Sequence, residues 1–203
     1  MKNLIILMTL AGSITAQAEV DEFMMIEPSE DQLIESVKAE IPQWDKKTQK
    51  RVDKYAPIII GVAKSLKMDA KILLSVAWTE SHFNPRAVSY AGAKGIMQVK
   101  DDTKEYIFKK YPEHRQAFTY ELANCPDYEI LENIIAGALY VHYLIGKYDG
   151  DTKRAIVAYN EGPTGTYRLI KRNYDLDNHQ YYQKVSEKIE TIHLETQQMI
   201  AGF

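Results

Sequence analysis

Residues 69–85 read DAKILLSVAWTESHFNP. Ile72, Leu73, Val76 and Ala77 recur at three- and four-residue intervals, the period at which side chains stack on one face of an α-helix. Asp69 stands where a carboxylate can accept from the unpaired N–H groups of a first turn, and Asn84-Pro85 ends the pattern. Counting on in fours from Ile72 through Val76 reaches Glu80, so a carboxylate continues the apolar stripe. An ionised carboxylate on a core-facing stripe is costly without a partner. Its proton affinity rises in such a place, which is the property a general acid needs near neutral pH. Spacing alone leaves a second reading open, in which the helix ends at Glu80 and the side chain reaches water.

The helical period extends to both sides. From Asp45 onward Val52, Tyr55, Ile59, Val62 and Ala63 share a face, with Pro57 marking a kink or a new start. Tyr106 to Tyr111 reads as a short helix. Asn133 to Tyr148 is a longer one, with Ile134, Ala138, Val141 and Ile145 aligned. Thr152 to Tyr159 follows, stopped by Gly162-Pro163, and Tyr181 to Met199 carries Val185, Ile189 and Ile192. Few segments alternate with a period of two, so the predicted fold class is all-α.

The chain has 203 residues, 45% of them hydrophobic, which suits one domain with a real core. Its formal charge of −3 gives no electrostatic case for nucleic acid as a partner. Residues 1–18 read as a secretory signal peptide, with Lys2, an apolar run from Leu4 to Leu10, and Ala16-Gln17-Ala18 as the small-x-small cleavage pattern. An uncleaved N-terminal anchor is the alternative. Glu19, Asp21, Glu22, Glu27, Glu30 and Asp31 make the next stretch acidic. Residues 19–44 are accordingly expected to be a loosely packed extension, and residues 45–203 the domain. Export places the protein where disulfides form, yet Cys125 is a single cysteine and forms no internal bridge. It reads as a structural or incidental thiol.

The segment after Glu80 carries the groups that could surround a substrate. Gly92 and Gly95 permit positive φ or a close approach of the backbone. Ser89 offers a hydroxyl able to hold a carboxylate, and Gln98 an amide donor and acceptor suited to sugar hydroxyl and acetamido groups. Further on, Ala158-Tyr159-Asn160 brings aromatic and amide groups to a helix end beside Gly162-Pro163. Taken singly, each of these is a common feature.

Taken in order, they resemble a family. Glu80-Ser81-His82-Phe83-Asn84-Pro85, Ser89, Gly92-Ala93-Lys94-Gly95-Ile96-Met97-Gln98 and Ala158-Tyr159-Asn160-Glu161-Gly162-Pro163 resemble the catalytic domain of the soluble lytic transglycosylases. They match its Glu-Ser, Gly-Leu-Met-Gln and Ala-Tyr-Asn motifs. Glu132-Asn133 and Gly137-Ala138-Leu139-Tyr140 look like the family's intervening helix, and the likeness spans about Ile58 to Val185. Lys100-Asp101 stands where the family commonly has Met-Pro, and Tyr90 where proline is frequent.

The resemblance implies a lysozyme-like helical domain with a groove for glycan strands of peptidoglycan. It also implies cleavage of the β-1,4 bond between N-acetylmuramic acid and N-acetylglucosamine. By position, Glu80 matches the catalytic acid/base and Ser89 the serine beside it. Met97 and Gln98 match groove residues, Tyr159 and Asn160 residues beside the cleaved sugar, and Tyr181 a tyrosine of the C-terminal helix. No metal or cofactor is expected, since the five histidines show no ligand spacing and no phosphate-cradling loop is present. The expected setting is the periplasm, with a monomeric enzyme and an envelope or secretion-system partner. A goose-type lysozyme-like hydrolase and a non-catalytic wall-binding scaffold are the competing readings.

Overall fold

The computed structural model describes residues 27–116 and 127–202. The expected signal peptide, residues 19–26 of the acidic stretch and Cys125 lie outside them. Among the described residues the fold is helical, and the extended pairing is confined to two isolated bridges, Val88 with Lys94 and Lys94 with Val99.

The acidic extension departs from expectation. Glu30–Ala39 forms helix α1, opened by a capping box in which Ser29 and Gln32 each satisfy the other's backbone N–H. Leu33 and Val37, one turn apart, are buried, and Ile41 follows them into the core. Local charge suggested a solvated leader, but the acidic residues occupy the outer face and the apolar ones turn inward. The helix packs on both the next helix and the last one, so it is part of the domain.

Helix α2, Lys46–Ser65, is capped by Asp45 and runs through Pro57 without ending. The lost N–H bond is outweighed by burial on either side, at Tyr55, Ala56, Ile59 and Ile60. Helix α3, Ala70–Ser81, is capped by Asp69, whose carboxylate accepts from the Lys71 N–H. It stops in two successive left-handed residues, His82 (φ 53°) and Phe83 (φ 55°), an uncommon and mildly strained exit for residues other than glycine. The Phe83 ring is fully buried, and that burial offsets the strain.

Helix α4, Asp101–Lys110, begins earlier than the Tyr106 start read from the sequence, with Asp101 and Asp102 at its positive end. Helix α5, Tyr128–Lys147, is the central rod, with Ile134 to Leu139 buried without interruption. Helix α6, Thr152–Lys171, is two helical pieces meeting at Gly162 (φ 71°, ψ 161°), so the expected stop at Gly162-Pro163 is a break after which the helix restarts on Pro163. A short 3-10 turn, Leu176–Asn178, leads into helix α7, Gln180–Ala201. Helix α5 touches α2, α4 and α6, while α7 lies against α1, α3 and α6.

If α1 is integral to the core, Val37→Ala should lower unfolding free energy by about 2 kcal/mol, since it deletes methyl groups from a fully buried site. Chemical denaturation measures this. A loss below about 0.5 kcal/mol would be that of a surface site and would return α1 to the status of a loose leader.

Candidate active site

Glu80 is the penultimate residue of α3, following six successive buried positions from Leu73 to Trp78. The Glu80 side chain is half-buried there. Burial raises its pKa from an ordinary 4.5 to about 7, against the opposing pull of one hydrogen bond. That bond comes from α7, where the Tyr181 hydroxyl donates to Glu80 Oε1 at 2.7 Å. Burial and Tyr181 account for the shift, and among the described residues no second carboxylate contributes to it. The Tyr181 and Tyr159 phenols are both held well above their ordinary range, by burial first and by the Glu80 charge next. Both therefore stay protonated, and Tyr181 stays a donor.

One wall of the site is the loop from Ala87 to Val99, and three neighbours fix its backbone. The Ser81 hydroxyl donates to the Ile96 carbonyl at 2.7 Å. Asn133 of α5 accepts from the Met97 N–H at 2.9 Å and donates to the Lys94 carbonyl at 2.8 Å. The Tyr159 hydroxyl, from the end of the first piece of α6, donates to the Met97 carbonyl at 2.7 Å. Gly95 (φ 75°) has to be glycine, because a Cβ there would stand 2.5 Å from the Asn133 side chain. Gly137 makes room in turn for Met97, whose Cβ would be 2.4 Å from one placed on that glycine.

Several of the residues assigned to substrate on sequence grounds build this wall instead. The Met97 side chain is fully buried and its N–H and C=O are both occupied, so its expected place in the groove does not hold. Gln98 sits at φ 48° and spends its amide N–H groups on the Ala87 and Gly95 carbonyls, at 3.1 and 2.9 Å. Only its Oε1 is left to face a ligand. The Ser89 hydroxyl does not hold Glu80 but accepts from the Ala93 N–H at 3.0 Å, closing its own turn. Asn160 is exposed directly after Tyr159. The structure thus brings Glu80, Tyr181 and Tyr159 together and leaves Ser89 to shape the loop.

Asn133 and Ser81 are the residues whose part was not read from the sequence. A signal for Asn133 existed: an amide four residues before Gly137, at the start of the apolar run from Ile134 to Leu139, places a polar group beside a gap on one face.

Next to Tyr159 an aromatic cavity of about 350 Å3 opens, lined by Asp102, Thr103, Tyr106, Tyr140, Tyr143 and Pro163. Tyr140 links the two, its ring centre 5.4 Å from that of Tyr159. A larger cavity of about 760 Å3 lies between α1 and the α2–α3 turn. Its carboxylates, Glu27, Glu30 and Asp69, are exposed, so volume does not locate the acid chemistry. Among the described residues no cluster of histidine, cysteine and carboxylate could hold a metal, and no helix is long and apolar enough to cross a membrane.

The comparison with known proteins agrees with this geometry. The Transglycosylase SLT domain family matches residues 57–182. Over 169 residues the chain is 31% identical to membrane-bound lytic murein transglycosylase C of Haemophilus influenzae, covering 77% of this chain and 46% of that protein. The enzyme of the same name from Histophilus somni is 32% identical over 155 residues, covering 70% and 41%. The chain therefore spans less than half the length of these relatives. An inactive mutant of lytic transglycosylase Slt from Pseudomonas aeruginosa shares the fold. It superposes with a TM-score of 0.52 at 18% identity, covering 93% of this chain and 34% of that one.

Two outcomes follow from the site. The folded state holds the Glu80 proton more tightly than the unfolded chain, so between the ordinary pKa of 4.5 and the folded value of about 7 the unfolded state binds fewer protons. Stability from this group therefore falls as pH rises through that window. Relative to the native chain, Glu80→Gln should gain about 2–3 kcal/mol between pH 4 and pH 8, read from denaturation at each pH. A pH-independent difference would mean an unperturbed Glu80. Asn133→Asp keeps the acceptor for Met97 but sets a carboxylate oxygen against the Lys94 carbonyl, and a loss of about 1–3 kcal/mol is expected by the same method.

Proposed function

The chain belongs to the Transglycosylase SLT domain family, and from that premise we propose that it cleaves the β-1,4 bond between N-acetylmuramic acid and N-acetylglucosamine in peptidoglycan. The observation that carries this reading is the setting of Glu80, a half-buried carboxyl with a pKa of about 7 and one hydrogen-bond donor. Such a group is protonated often enough near neutral pH to act as an acid, and its conjugate base is strong enough to take a proton back. The names of the relatives, lytic murein transglycosylases, support the same substrate.

The mechanism is constrained by the presence of one carboxylate at the site among the described residues. Ordinary glycosidases use two, one as acid and one as base or nucleophile. Here the substrate supplies the second group. Glu80 gives its proton to the bridging oxygen as the C1–O bond breaks, and the muramic acid acetamido group shares the positive charge left at C1. The Glu80 carboxylate, steadied by the Tyr181 hydroxyl, then takes the proton from the 6-hydroxyl of that sugar. O6 closes on C1 to form a 1,6-anhydro ring, and no water is consumed. An intramolecular hydroxyl with fixed orientation outcompetes water for C1. The exposed Asn160 and the free Gln98 Oε1 are the groups left to meet sugar hydroxyl and acetamido groups.

The periplasmic setting rests on the signal-peptide pattern of residues 1–18 and on the location of the substrate.

Mass spectrometry of fragments released from purified peptidoglycan tests the proposal. The expected products carry anhydro ends, each lighter by one water than a hydrolysis product. Glu80→Gln should reduce release by about 10³-fold or more, because it keeps the shape and hydrogen bonding but has no proton to give. Reducing ends would identify a lysozyme, and undiminished release by the variant would remove Glu80 from the acid role.

A further inference from the structure

Two side chains outside the site join the elements that supply its tyrosines. Glu161 follows Tyr159 and Asn160 at the end of the first piece of α6, just before the break at Gly162. Its side chain folds over Gly165, where an added Cβ would lie 3.0 Å from the Glu161 Cβ and 3.3 Å from Oε2. From there Oε1 reaches 3.3 Å to the Nε2 of His179. His179 starts α7, since its carbonyl accepts the Gln183 N–H at 2.9 Å, and Tyr181 stands two residues further on. The imidazole is 11% exposed, and its Nδ1 is buried without a partner. A carboxylate can only accept, so the bond is made by an N–H on Nε2 donating to Glu161. The Tyr174 ring closes the other side, edge-on at 6.4 Å.

We propose that Glu161 and His179 form a positioning pair that braces the first turn of α7, and with it the Tyr181 hydroxyl, against Glu80. The pair ties the end of the helical piece bearing Tyr159 to the start of the helix bearing Tyr181. Tyr159 holds the Met97 carbonyl and Tyr181 holds the Glu80 carboxylate, so the pair links the two elements that bring these phenols to the site. The rest of α7 is held independently, by burial of Val185 and Ile192. Loss of the pair therefore loosens the first turn without unfolding the domain. The inference rests on the reading of Glu80 as the acid, but its effect is visible without turnover.

The sign of that effect separates positioning from simple charge. Removing the Glu161 charge would, acting directly, ease ionisation of Glu80 and move its titration down in pH. Loosening Tyr181 removes a donor that favours the carboxylate and moves the titration up. The experiment follows the Glu80 side-chain carboxyl by 13C NMR across pH in the full chain, with muropeptide release measured alongside. In Glu161→Ala the midpoint should rise by about half a pH unit. In Glu161→Gln, whose Oε1 still accepts from His179, it should stay at the native position. In a Tyr181→Phe background, Glu161→Ala should cause no further rise, because the two act through one bond. Should Glu161→Ala not fold, Gly165→Ala crowds the same side chain and carries the same expected sign. A midpoint that stays put or falls in Glu161→Ala overturns the proposal, as does an undiminished rise without the Tyr181 hydroxyl. If native protein releases no muropeptides while the midpoints move as described, the pair stands and the transglycosylase reading fails.

Discussion

The structure depends on keeping one carboxylate where water solvates it poorly. Glu80 continues the inner stripe of α3, and a fully ionised group there would cost several kcal/mol if nothing answered it. The Tyr181 bond is the answer, and it is a partial one. A donor that fully compensated burial would return the pKa to the ordinary carboxylate range and leave a weak base and a deprotonated acid. A bare apolar pocket would keep the proton too tightly to give it away. One phenol at 2.7 Å against burial leaves the group near 7. Because Tyr181 lies 101 residues from Glu80, the balance is a property of how α7 sits on α3. That placement explains why α1 belongs to the domain, since α1 packs on α7.

The loop opposite Glu80 follows a similar logic. Its backbone turns back on itself twice, and each turn leaves polar groups that a helical neighbour must satisfy. Ser81, Asn133 and Tyr159 meet the Ile96 carbonyl, the Met97 N–H and the Met97 carbonyl in succession. Gln98, in the left-handed region, is held there by its own side chain. The residues that resemble the family's motifs are thus mostly the means of fixing a shape. A catalytic carboxylate works only if the bond to be broken arrives within a fraction of an ångström, and rigid walls achieve this better than flexible contacts.

Sequence alone determined the helical class, the cap at Asp69 and an interruption at Gly162-Pro163, and it left Glu80 between an inward stripe and a solvated helix end. All of these follow from local periodicity and local backbone chemistry, which the order of residues encodes directly. It could not show that Met97 is buried, that Ser89 bonds to Ala93, or that an acidic stretch ends in a core helix, because each depends on a neighbour distant in the chain. The hydrogen bond from Tyr181 to Glu80 and the contact of Glu161 with His179 belong to the same class. Tertiary structure decided them, for the physical reason that desolvation and directional bonds act over a few ångströms in space, whatever the number of residues between the groups they join.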